Sequence, residues 1–389
     1  MATTATRIDD NAIAKLTASI QRDVDSGLYD GAVVALAHRG EVVLEQAIGY
    51  SERDTGRVAK TDDVFRVLSL SKAFTVATVF QAIEDGLLAL TTRVVDVIPE
   101  FRSADRFLNK RKDRISLYHL LTHRSAMPPT PEPVAMDKLG NLAYVIDAIC
   151  KFDAIGEPGE VIDYSPAINH ALMAEMVRRV RGEERFRTVV TRDILEPLGM
   201  TSTSLGIARH LADRVVPLKA RFGDAGWLSG KDVEALNDTV DEEAELPWVG
   251  YVSTAGDVLR FAEMYRRGGE YEGTRIVHPP ILERAFKNHT GERLNNWWIP
   301  MWQRRNWEPM PANLGMGVFL RGEGMHPSIL GTLTSPGTYG NYGAGSSLYW
   351  VDPARELTFV CLTAGVLEES ANIERFQRLS DMAVSTVTA

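Results

Sequence analysis

Apolar positions recur along this chain with two periods. Ile13, Leu16, Ile20 and Val24 fall on one face of an opening helix, with Asp9 or Asp10 placed to cap it and Gly27 just past its end. Two apolar, β-rich runs follow, 31–38 and 41–48, separated by Arg39-Gly40, and they predict a hairpin. Residues 51–63 are polar and predict a loop. Val64 to Leu68 then runs straight into a helical pattern. Ala73, Phe74, Val76, Ala77, Val79, Phe80 and Ile83 cover adjoining faces of that helix, so it is mostly buried, and Asp85-Gly86 ends it. From Gly86 to about Pro247 the pattern is mainly helical with long polar connections, and the acid-rich 231–246 stretch predicts a solvated surface segment. Beyond Gly250, Val258 to Tyr265 predicts an amphipathic helix. Leu348–Val351 and Leu357–Leu362 predict a second hairpin turning at Asp352-Pro353-Ala354-Arg355, and a final helix covers about Ile373 to Val387.

Two hairpins and two terminal helices therefore bracket a helical middle. The expected fold class is α+β, an α/β sandwich with an antiparallel sheet flanked by helices. Residues 1–85 and 250–389 are expected to form the sheet subdomain, residues 86–249 a mainly helical subdomain inserted in it, and the cleft between them the site. The length of 389 residues allows this, and 44% hydrophobic with 24% charged residues is ordinary for a soluble globular chain. A net charge of -9 argues against a nucleic-acid partner. The two cysteines, Cys150 and Cys361, lie in apolar surroundings and read as small core residues rather than a disulfide framework. The N-terminal Met-Ala-Thr-Thr-Ala-Thr-Arg has no apolar leader and no stretch is long enough to span a membrane, so the expected location is cytoplasmic, with no membrane partner. The oligomeric state is not readable from the chain.

Chemistry concentrates at Ser69 and Lys72, an S-x-x-K at the predicted start of the buried helix. A serine hydroxyl needs a base within hydrogen-bond reach, and a desolvated lysine loses its proton near neutral pH and supplies one. The alternative is a helix-capping serine with an exposed lysine one turn later, but Lys72 lies within an apolar run where an unpaired lysine is costly. Asp163-Tyr164-Ser165-Pro166 precedes a helix whose apolar face is Ile168, Leu172, Met173, Met176 and Val180. Ser165 fits the N-cap and Pro166 the first helical position, which holds Tyr164 at a rigid entrance, as an acid–base phenol or as packing. The glycine-rich stretch 339–347 offers backbone N–H groups to an oxyanion, or makes a tight turn before a strand. Trp297, Trp298, Trp302 and Trp307 wall an apolar acyl or aromatic pocket, or form a satellite core. His119 and His123 at i and i+4 have no intervening glutamate and no third ligand, so they read as structural, and no metal is expected. No G-x-S-x-G nucleophile elbow occurs.

In this order and spacing the pieces resemble the serine β-lactamase and penicillin-binding-protein superfamily over nearly the whole chain, and within it the class C-like, family VIII carboxylesterases. Phe65-Arg66-x-x-Ser69-x-x-Lys72 matches the first motif, Tyr164-Ser165-Pro166 stands at Y-x-N, and Asn341-Tyr342-Gly343 stands at K-T-G. Leu120-Leu121-Thr122-His123, Glu157-Pro158-Gly159, Glu196-Pro197-Leu198-Gly199-Met200 and Ser253-Thr254-Ala255 with Asp257 resemble further landmarks. The resemblance implies catalysis by Ser69, Lys72 and Tyr164 through an acyl-enzyme, and an oxyanion hole from the backbone N–H groups of Ser69 and Ala344. It implies substrate contacts at Asn341, Tyr342, Gly343, Pro166 and Trp298, and no cofactor. Pro166 in place of asparagine and Asn341 in place of lysine remove two groups that hold a β-lactam. They favour a small-molecule ester substrate and a carboxylesterase. An acyltransferase of the same fold, or a penicillin-binding or sensory module that acylates without turnover, are the alternatives.

Overall fold

The computed structural model describes residues 7–103, 110–131, 134–223 and 229–388. The N-terminal stretch read above lies, except for Arg7, on residues 1–6, outside the described residues. Helix α1 spans Asp10–Asp25 and starts as its capping pattern requires, with the Asp9 carboxylate accepting from the Asn11 N–H at 2.8 Å. Strands β1 (Gly31–His38) and β2 (Glu41–Glu52) form the first hairpin, and β3 (Arg57–Val58) extends it across the segment expected to be loop. Strand β4 (Val64–Arg66) leads through a single 3-10 turn, Leu68–Leu70, into helix α2 (Ser71–Glu84). Ser69 therefore stands in the turn before the helix rather than in its first turn.

Helix α3 (Leu117–Leu121) and helix α4 (Ile168–Arg181) pack in the segment that follows. Two-residue strands β5 (Ser204–Leu205) and β6 (Val215–Val216) precede helix α5 (Gly230–Thr239). Strand β7 (Tyr251–Ser253), helix α6 (Ala255–Arg266) and strand β8 (Phe319–Leu320) lead to β9 (Tyr339–Gly343), β10 (Ser347–Asp352) and β11 (Leu357–Ala364). Helix α7 (Glu369–Val384) runs close to the end of the chain.

The main sheet is antiparallel and seven-stranded, in the order β8-β9-β10-β11-β1-β2-β3. Its central pairing joins the chain's two ends, with Gly31 opposite Ala364 and His38 opposite Leu357. All eight residues of β1 are buried, because both faces are covered. Val33, Ala35 and Ala37 point into a core shared with α2, α4 and α6, while Ala32, Val34 and Leu36 point into a second core shared with α1 and α7. A small second sheet, β5-β7-β4-β6, sits beside the nucleophile turn and ties β4 to the residues around Tyr251.

Four further local expectations are corrected. The acid-rich 231–246 segment is helical to Thr239 and only partly solvated, since Val233, Val240, Ala244, Glu245 and Leu246 are buried and Glu245 accepts from the Arg187 N–H. Helix α4 starts at Ile168 with Ala167 at its N-cap, so Ser165 and Pro166 lie outside it, although Ser165 Oγ still accepts from the Asn169 N–H at 3.2 Å. Residues 339–343 are themselves a strand rather than a turn before one. The last helix begins at Glu369 and stops at Val384, because Val387–Thr388 turns back to pair with Arg7–Ile8. Cys361 is buried, Cys150 half-buried, and neither is in a disulfide. Among the described residues no helix is long and apolar enough to cross a membrane.

Candidate active site

The site forms where α2, the loop before α4 and strand β9 converge. Leu68 holds φ at +48°, an unusual angle for a leucine, and this twist turns Ser69 out of the line of β4 just ahead of α2. The turn is braced from behind by β10, where Ser347 Oγ donates to the Val67 carbonyl at 2.7 Å. Gly343 packs so tightly on the same turn that a Cβ there would lie 2.2 Å from the Val67 carbonyl oxygen. The next residue, Ala344, shares a small apolar cluster with Leu68, which places the proposed oxyanion strand directly against the nucleophile turn.

Lys72 is 3% exposed, and its Nζ lies 2.9 Å from Ser69 Oγ while donating to the Trp248 carbonyl at 3.0 Å. Burial alone drives its pKa well below the ordinary lysine value, and no carboxylate among the described residues pairs with it. Trp248 was not singled out in the sequence. It is held because Pro247 and Tyr251 are fastened along α2, Thr75 Oγ1 donating to the Pro247 carbonyl and the Tyr251 N–H donating to Ser71 Oγ.

Tyr164 joins the same group. Lys72 Nζ lies 5.2 Å from its ring centroid. Burial pushes the Tyr164 phenol pKa up, with the Ser69 hydroxyl pulling the other way, whereas burial drives the Lys72 pKa down. Its loop is pinned at two points. His123 Nδ1 accepts from the Ser165 N–H at 3.0 Å and its ring stacks on Tyr164 at 4.7 Å, the structural role expected for this histidine. Asn295, fully buried, accepts from both the Tyr164 and the Trp297 N–H groups, and so couples this loop to the tryptophan segment. Asn295 and His170, the latter on the first turn of α4, carry no motif that sequence reasoning could use.

Trp298 stacks on Phe319 at 5.9 Å, Phe319 lies 4.9 Å from Tyr342, and these rings line a mainly apolar cavity of about 40 Å³. The aromatic wall thus reaches the Ser69, Lys72 and Tyr164 group through Tyr164, 6.0 Å from Phe319. Trp302, by contrast, is buried core at 5% exposure. Asn341 lines a smaller cavity with Lys72 and Tyr164, but its Nδ2 is committed to the Gly317 carbonyl at 2.9 Å. Pro166 is half-buried at the helix entrance. Arg304 is held by Glu368 and Arg305 by Ser370 and Glu374, so neither stands in for the missing lysine. Among the described residues no group of three or more His, Cys, Asp or Glu side chains is placed to hold a metal ion. A larger cavity, about 870 Å³, lies away from this chemistry, where Glu175, Arg178, Glu184 and Arg185 face residues of the 136–143 and 235–245 segments.

A serine hydroxyl within hydrogen-bond reach of a buried lysine, with a phenol beside it, against an antiparallel sheet, marks a serine hydrolase of the β-lactamase and penicillin-binding-protein fold. The family model described as Beta-lactamase matches residues 16–381, and the chain belongs to that family. Among curated proteins, esterase EstB of Burkholderia gladioli is 32% identical over 300 residues, covering 68% of this chain and 74% of its own. Among solved structures, a penicillin-binding-protein homologue from Caulobacter crescentus superposes with a TM-score of 0.79 at 21% identity, over 98% of this chain and 100% of its own. EstCE1, described as a hydrolase with promiscuous acyltransferase activity, gives 0.77 at 20% identity, over 95% and 99%. These two likenesses show the fold alone.

Proposed function

We propose that this protein is a carboxylesterase that cleaves uncharged esters through an acyl-enzyme on Ser69, in a cleft between the sheet subdomain (1–85 and 250–389) and the helical insertion (86–249). The observation that carries the reading is the state of position 341. A β-lactam or peptide substrate brings a carboxylate and needs a cation opposite it, whereas Asn341 is neutral, 3% exposed and already bonded to Gly317. The aromatic wall of Trp298, Phe319 and Tyr342 suits an apolar acyl or alcohol group. EstB carries the name esterase, which agrees.

In the proposed reaction Ser69 Oγ attacks the ester carbonyl as its proton passes to Lys72 Nζ. The oxyanion meets the backbone N–H groups of Ser69 and Ala344. Collapse expels the alkoxide, which takes a proton from Tyr164, itself re-protonated from Lys72. Water then attacks the acyl-enzyme by the reverse proton path. An alcohol in place of water gives acyl transfer, the second reading, favoured by the description of EstCE1. The test is a side-by-side panel of nitrophenyl esters, lactones, amides and β-lactams, with and without added alcohol. Wild-type protein should turn over the esters, carry a fluorophosphonate on Ser69 by intact mass, and lose both in Ser69→Ala, with a fall in kcat on the order of 10⁶-fold. One equivalent of product followed by arrest would support a non-turning-over binding module instead.

A further inference from the structure

A small cavity adjoins Lys72. Its polar lining is Lys72, His123, Tyr164, His170 and Asn341, and Leu121 with the 314–319 segment supplies the rest. His170 is 1% exposed, and neither of its ring nitrogens has a hydrogen-bond partner among the described residues. Buried polar groups are seldom left so, and when they are, an internal water commonly satisfies them. The space open to a water's centre is about 10 Å³, the lower bound for one molecule.

A donor count on Lys72 points to the same place. As an ammonium it has three N–H groups. Ser69 Oγ and the Trp248 carbonyl take two of them. The third needs an acceptor at the moment the serine proton arrives. The titratable groups around the cavity are Lys72 from α2, His123 from the segment after α3, Tyr164 from the loop before α4 and His170 from α4 itself, while β9 contributes only the neutral Asn341. His123 already uses Nδ1 to accept from Ser165, so its other nitrogen carries the proton. Tyr164 is a neutral phenol. Burial drives the His170 pKa down, and both of its ring nitrogens stand without a hydrogen-bond partner among the described residues.

We propose that one water occupies this cavity, accepting the third N–H of Lys72 and donating to His170, and that His170 is thereby a positioning residue for proton transfer from Ser69 to Lys72. This rests on Lys72 being the base. In the step, the Oγ–H bond breaks, an Nζ–H bond forms and Oγ bonds to the carbonyl carbon. The water only reorients its hydrogen bonds.

The experiment measures kcat/KM for nitrophenyl butyrate from pH 5 to 10 in the full chain, for wild type, His170→Phe and His170→Gln, alongside thermal melts and fluorophosphonate labelling of Ser69. His170→Phe removes the acceptor and fills the space. Its plateau should fall at least tenfold and its acid limb should move to lower pH, because the ammonium form of Lys72 loses support. His170→Gln, which keeps a polar acceptor, should recover most of the plateau. A His170→Phe profile within twofold of wild type with an unmoved limb, in protein whose Ser69 still labels, overturns this inference alone. Wild-type protein that does not label at Ser69 overturns the serine-hydrolase reading and this inference with it. If His170→Phe does not fold, wild-type density at high resolution decides: an ordered water between Lys72 and His170 supports the inference, and an empty cavity overturns it.

Discussion

Lys72 is the residue at which stability and function oppose each other. An amine that is protonated in the unfolded chain and neutral when buried makes the unfolded state bind more protons at any pH below 10.5 and above its lowered folded pKa. Folding stability from this group therefore rises with pH across that window and is fully recovered only near 10.5. Lys72→Met should melt higher than wild type at pH 7, with the gap closing towards pH 10, and should lose ester turnover completely. Thermal melts over pH 6–10 check it, and a variant that melts lower at pH 7 contradicts the buried neutral amine. Tyr164→Phe is the companion test. A phenol that passes a proton in the transition state should cost roughly 10²–10⁴-fold in kcat with little change in KM. Near-normal kcat would reduce Tyr164 to packing between His123 and Phe319. Ser69, Lys72 and Tyr164 were all legible as residue types in context, since an S-x-x-K in an apolar run asks for an explanation. Trp248, Asn295 and His170 were not, because each acts through a backbone carbonyl, a buried amide or an unmet ring, and none of these leaves a pattern in sequence.

Elements whose apolar period is strong were read from the sequence, and those whose form depends on a neighbour were not. Helix α1 and the pairs β1–β2 and β10–β11 carry their periods openly. Strand β9 does not, because Gly340 and Gly343 look like turn residues. Their reason is contact: a Cβ on Gly340 would lie 2.1 Å from the Tyr349 carbonyl oxygen, and one on Gly343 would meet Val67 and Leu68. Two substitutions separate the consequences. Gly340→Ala pushes β9 off β10 and should lower the melting temperature, with kcat of the folded fraction within a few-fold of wild type. Gly343→Ala pushes β9 off the nucleophile turn, at a cost of about 1–3 kcal/mol in overpacking. It should also lower kcat by roughly a hundredfold, since small misplacements at a reacting centre are that expensive. Equal kcat in the two folded variants would mean that the Gly343–Val67 contact does not align Ser69 with Ala344. The start of α4 was misjudged for a related reason. Ser165 looks like an N-cap and does accept from Asn169, but its own N–H is taken by His123, which draws it out of the helix.

At the scale of the molecule, the proposed esterase activity makes substrate charge the property to test. The net charge is -9, so a carboxylate-bearing substrate approaches against the mean field, and a neutral ester does not. Inside the site, Asn341 supplies no cation, and Arg304 and Arg305 are occupied by their own partners. A charge-assisted contact is roughly twice as strong as a neutral one, and each 1.4 kcal/mol of lost transition-state stabilisation is about tenfold in rate. The missing cation together with the missing Y-x-N amide therefore places kcat/KM for a short-chain nitrophenyl ester at least roughly a hundredfold above that for any penicillin or cephalosporin. The two contributions separate by salt. Raising ionic strength from about 0.01 to 0.5 M shortens the screening length from roughly 30 Å to a few ångströms, so the mean-field part should vanish. β-Lactam turnover should rise a few-fold on that change while ester turnover stays within twofold. Asn341→Lys acts at short range, where screening is weak, and should narrow the remaining gap at both ionic strengths through a lower KM for the carboxylate substrate. Buried as Asn341 is, the added lysine must also break the Gly317 contact, so thermal melts accompany the kinetics. A wild-type protein that handles nitrocefin and nitrophenyl butyrate with similar efficiency would show that a carboxylate finds a partner in this cleft after all, and would move the assignment away from an esterase.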